Sequence, residues 1–113
     1  MNGIARLVAS WRARVALTGH SMSPTLRDGD WVLVDPDAYR LRSPTPGELV
    51  VADSSAGPVV KRVAERLDPT SLLLAGDAPS GGGHRHEVVL AVSTVSGRPW
   101  FRYWPPGRIG RVR

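Results

Sequence analysis

The chain has 113 residues, long enough for one unit with a single hydrophobic core and too short for two ordinary domains. Hydrophobic residues make up 42% and charged residues 22%, which excludes wholesale disorder, and the lack of cysteine excludes disulfides, thiolate metal sites and a cysteine nucleophile. The net charge of +5 is uneven: all 10 acidic residues lie between Asp28 and Glu87, and both ends of the chain are purely basic. Such ends read as solvated basic surface, open to an anionic surface or an acidic partner.

Ile4, Leu7, Val8 and Trp11 recur at helical spacing, which predicts a short helix over residues 3–11 within a helical lead-in of residues 1–12. Arg6, Arg12 and Arg14 interrupt this region, so it has neither the run of about 20 apolar residues that a membrane span needs nor a signal-peptide core. The expectation is a soluble, cytoplasmic chain with at most peripheral membrane contact. From there the pattern is β: Arg14–Thr18, Trp31–Val34, Glu48–Ala52, Val59–Leu67, Ser71–Ala75 and Val88–Val95 are short runs rich in Val and Leu. Turn chemistry at Asp28-Gly29-Asp30, Pro44-Thr45-Pro46-Gly47 and Asp68-Pro69-Thr70 separates them. The predicted fold is mainly β, a small curved sheet or partial barrel forming one domain over residues 1–113. The aromatic stretch Pro99-Trp100-Phe101-Arg102-Tyr103-Trp104 reads as a closing strand whose aromatics cap the core. Residues 105–113 read as a frayed basic tail.

Lys61 is the sole lysine among 15 Lys and Arg residues. An arginine effectively never gives up its proton, whereas a lysine in an apolar setting can, and can then act as a base. Strand alternation places Lys61 on one face with Val59 and Val63, and Val60, Arg62 and Ala64 on the other. Apolar neighbours disfavour the ammonium and lower its pKa; the competing outcome is a lysine that snorkels to water from an edge strand. Ser21, in Thr18-Gly19-His20-Ser21-Met22-Ser23-Pro24-Thr25-Leu26, is the candidate nucleophile that such a base would serve.

This serine segment, with the Gly29-Asp30 turn and the Trp31–Val34 strand behind it, resembles the nucleophile region of the signal peptidase I-like serine peptidases. Pro46-Gly47-Glu48-Leu49-Val50-Val51 is similar to a second family box, with Glu where the family has Asp. Val60-Lys61-Arg62-Val63 resembles the box that holds the general-base lysine, and Gly76-Asp77-Ala78-Pro79 a fourth. The resemblance implies a Ser21/Lys61 dyad: Lys61 takes the serine proton and returns it to the leaving amine, through an acyl-enzyme. Gly19 and Ser21 bracket a turn whose backbone N–H groups can converge on an oxyanion, that of Ser21 foremost. Met22 and Pro24 are expected to support the turn, Met22 by packing beneath it and Pro24 by fixing the chain.

After Gly76-Asp77 the family supplies an Asp-Ser-Arg sequence that orients the lysine; here Ser80-Gly81-Gly82-Gly83-His84-Arg85-His86 stands instead. Ser80 or a backbone carbonyl is expected to orient the lysine, with Asp77 a further candidate support. The His84/His86 pair reads as part of a solvated loop, and no metal or other cofactor is expected. The implied function is a serine endopeptidase that removes a leader or propeptide from a protein substrate bound as an extended strand. Within that family, the short members resemble the peptidases that remove a leader from nickel-type superoxide dismutase. The alternative is a weakened or inactive peptide-binding module of the same fold. No helix-turn-helix pattern precedes the serine motif, so no nucleic-acid partner is expected.

Overall fold

The structure, a computed structural model, describes residues 13–55, 57–78 and 87–113. The helix expected over residues 3–11, and with it Ser80, His84 and His86, lies outside the described residues. Eight strands follow in order: β1 (Ala13–Ala16), β2 (Trp31–Asp35), β3 (Leu49–Ser54), β4 (Gly57–Asp68), β5 (Ser71–Ala75), β6 (Val88–Ala91), β7 (Val95–Trp104) and β8 (Gly110–Arg111). All pair antiparallel in one unclosed sheet of order β1-β2-β7-β3-β4-β5-β6, with β8 added to β7. Among the described residues no helix is long and apolar enough to cross a membrane.

The sheet works because β3 is apolar at every position from Leu49 to Ala52. Leu49 and Val51 face a cluster with Val15, Met22, Leu26, Val32, Val34, Val60 and Val112. Val50 and Ala52 face a second cluster with Val63, Leu72 and Leu74. Each fully buried Val or Leu contributes about 1.5–3 kcal/mol of transfer free energy, so a strand that serves both cores is the main hydrophobic anchor. The turn that leads into it is fixed by Glu48, whose carboxylate accepts Arg42 Nη1 and Nη2 at 2.8 and 2.7 Å and the Thr45 N–H at 2.8 Å. The Arg42 hydrogen bonds, helped by those of Thr45, pull the Glu48 carboxyl down to about 2.

Strand β7 joins the two halves of the sheet. Its first residues pair with β3 (Val51 opposite Gly97, Ala52 opposite Val95), and from Arg98 onward it pairs with β2. Register shifts mark both ladders, and the fully buried Pro99 sits beside one of them, where a proline without an N–H can be accommodated. Gly97 lies where the chain crosses over: a Cβ there would stand 2.7 Å from both the Asp35 carbonyl oxygen and Val34 Cγ1.

Three expectations are corrected. The aromatics of β7 do not cap the core, which is aliphatic; Trp100 and Trp104 are exposed, and Trp31 stacks at a tilt on Tyr103 with centroids 6.4 Å apart. The sixth strand stops at Ala91 instead of Val95, because the Thr94 hydroxyl donates to the Ala91 carbonyl at 2.6 Å and closes a short 3-10 turn over Val92–Thr94. The tail is docked: β8 pairs with Phe101 and Arg102, Val112 is buried in the first cluster, and Arg108 forms an ion pair with Asp30 at 3.0 Å.

The close packing at Gly97 gives a direct test. Gly97→Ala should cost about 1–3 kcal/mol by overpacking, read as a lower urea midpoint. Gly107→Ala, with nothing within 4 Å of the added carbon, should stay within about 0.5 kcal/mol of the parent.

Candidate active site

The segment between β1 and β2, residues 17–30, contains no strand and is held as a turn by its own side chains and by the rest of the chain. Inside it, the Asp28 carboxylate accepts the Gly19 N–H at 2.8 Å, the Met22 carbonyl accepts the Leu26 N–H at 2.9 Å, and the Leu17 carbonyl accepts the Gly29 N–H at 2.9 Å. Met22 and Leu26 drop into the first core cluster beneath the turn. Pro24 is exposed on its outer side. His20 is exposed and its carbonyl accepts the Ser23 N–H at 3.1 Å.

Ser21 is half-buried at the point where this turn meets the end of β5. Its carbonyl accepts the Ala78 N–H at 2.9 Å, and a Cβ on Gly76 would run into that same carbonyl. Glycine at 76 is thus dictated by how closely the two segments approach. Next to it, Asp77 accepts a hydrogen bond from the Thr25 hydroxyl and a bidentate pair from Arg62, Nε to Oδ1 at 2.8 Å and Nη2 to Oδ2 at 2.7 Å. Arg62 also donates to the Gly47 carbonyl at 2.8 Å and to the Arg113 carbonyl at 2.9 Å. Asp77 is therefore a fastening between the serine turn and β4.

Lys61 lies on β4 opposite Val50, a residue with no exposed surface. Val59 and Val63 pack in the second cluster and Val60 in the first, the alternation expected from the sequence. Burial lowers the Lys61 pKa below the ordinary lysine value. Ser21 and Lys61, with Thr18, Gly19, Met22 and Val59, line one cavity of about 280 Å³ between β1, the serine turn and the start of β4. Among the described residues no hydrogen bond joins Ser21 Oγ to Lys61 Nζ.

Of the two backbone donors expected at the turn, Gly19 is engaged by Asp28, while among the described residues the Ser21 N–H meets no acceptor. Sequence reasoning placed Ser21, Lys61, Gly19, Met22 and Asp77 around one region. It missed Asp28, Thr25 and Arg62 as the groups that hold the turn. Only the Asp28-Gly29-Asp30 turn signal and the position of Arg62 beside Lys61 hinted at them.

The fold and the cavity define a class: an antiparallel β protein that presents a serine hydroxyl and a partly desolvated lysine amine to one cleft. Residues 3–65, more than half of the chain, match the signal peptidase family, peptidase S26. The chain belongs to this family and is a peptidase. The matched segment contains both Ser21 and Lys61. No curated protein and no solved structure matches the chain.

The lowered Lys61 pKa has a measurable sign. Acylation of the sole lysine by an amine-specific reagent should titrate with a midpoint below about 10.4, the ordinary value. The unfolded chain holds this proton more tightly than the folded one, so below the folded pKa the charged amine opposes folding, and the penalty fades as pH rises toward the unfolded pKa. Lys61→Met should therefore raise the urea midpoint at pH 7, with a smaller gain at pH 10.

Proposed function

We propose that the protein is a serine endopeptidase in which Ser21 is the nucleophile and Lys61 the general base. The observation that carries this reading is that the two side chains, distant in sequence, line one cavity, with the amine partly desolvated by burial. Neutral Lys61 accepts the Ser21 proton as Oγ bonds to the scissile carbonyl carbon, and the resulting ammonium protonates the leaving amine as the peptide C–N bond breaks. The ester left on Ser21 is then hydrolysed by a water that Lys61 deprotonates. The uncommitted Ser21 N–H is the oxyanion donor, and the engagement of Gly19 by Asp28 makes it a turn support instead of a second donor.

Met22 and Asp77 act as supports, Met22 from the core below and Asp77 through Thr25 and Arg62. Ser80 or a backbone carbonyl orients the Lys61 amine in this reading. The substrate is a protein bound as an extended strand along the cavity, from which a leader or propeptide is removed. Within the family, the leader of a nickel-type superoxide dismutase is the substrate we assign, on resemblance alone.

A β-lactam-type or lipopeptide serine reagent should label the wild type on Ser21 and leave Ser21→Ala unlabelled. With Lys61→Ala the labelling rate should fall by about 10²–10⁴, the usual worth of a general base. The wild-type rate should rise with pH through the lowered Lys61 pKa, and Lys61→Arg should be inactive throughout. Labelling that survives both alanine substitutions refutes the dyad, and a wild type that never labels points to a peptide-binding module.

A further inference from the structure

Asp30 is the one fully buried charged side chain among the described residues. Its carboxylate accepts the Arg27 N–H at 2.8 Å, which closes the last part of the serine turn. From the other end of the chain Arg108 Nη1 reaches its two oxygens at 3.0 and 3.1 Å, and Arg102 Nη1 reaches Oδ2 at 3.3 Å. The same guanidiniums continue to backbone carbonyls of the turn, Arg102 Nη1 to Thr25 at 2.9 Å and Arg108 Nη2 to Pro24 at 3.4 Å. Arg102 Nε also donates to the Arg108 carbonyl, so the two arginines are tied together.

We propose that Arg102 and Arg108, acting through Asp30, are positioning residues that set the turn carrying Ser21. The turn has no strand of its own, and Pro24 and Thr25 lie three and four residues from the nucleophile. A buried carboxylate without its cations is strongly disfavoured, so this contact is either made whole or lost. The serine is thereby held from two sides, by Gly76 and Ala78 at its own carbonyl and by the arginines at the turn's far end. Both arginines lie beyond the family-matched residues 3–65. The proposal rests on the Ser21/Lys61 reading.

The test compares Arg108→Met, Arg108→Lys and the double variant Asp30→Asn/Arg108→Met, which carries no orphaned buried charge, with Arg111→Met as an exposed control. A β-lactam-type serine reagent is the probe, used well below each unfolding temperature, and its saturation constant and limiting acylation rate are read separately. Arg108→Met and the double variant should acylate roughly 10- to 100-fold more slowly, the effect of a nucleophile displaced by about 1 Å. The saturation constant and the pH midpoint set by Lys61 should be unchanged, and Arg108→Lys should recover part of the rate. Folded variants that acylate at the wild-type rate, or that change only the saturation constant, overturn the proposal. A wild type that never labels overturns the dyad along with it, whereas a reactive wild type with reactive variants overturns the positioning role alone.

Discussion

The structure depends on one strand being dry on both faces. Leu49–Ala52 supplies side chains alternately to two hydrophobic clusters, and β4 and β7 must lie against it with little freedom of register, since a slip of one residue would exchange every side chain between the cores. The position of Lys61 follows from this. Paired with Val50 and flanked by valines committed to opposite cores, it cannot leave the strand, and its amine stands in a partly dry cavity because the backbone beneath it is fixed.

The same constraint separates two kinds of positive charge. Arg62, one residue along and on the other face, is saturated by Asp77 and by two backbone carbonyls, a role suited to a planar, permanently charged fork. Lys61 makes no such contact among the described residues, and burial lowers its pKa. A chain that builds its ion pairs from arginine and keeps a single lysine thus divides its cations by chemistry, fixed charge for fastening and a removable proton for the cleft.

Much of this was legible in the sequence. Val and Leu runs bounded by turn residues located β1 to β5, because their apolar character and their burial coincide. The grouping of Ser21, Lys61 and Gly76-Asp77 was readable from ordered motifs. What escaped was set by partners far away in the chain. β8 has only two residues, and nothing in Gly110-Arg111 marks it as a strand; β7 and the burial of Val112 create it. Asp30 looked like the end of a surface turn, and only the fold brings Arg102 and Arg108 to it. The aromatics of β7 suggested a core element by their size, yet the clusters are filled by β1 to β5, the serine turn and Val112.

The docking of the C-terminal segment carries a consequence for the order in which the molecule is completed. A nascent chain whose synthesis has reached Trp100 already contains every residue of the family-matched segment, the serine and the lysine included. It nevertheless lacks both guanidiniums that neutralise Asp30 and the valine that closes the first core cluster. The contacts that hold the far end of the serine turn can form only once Arg102 and Arg108 are present, so the cleft is completed by the segment that comes last in the sequence.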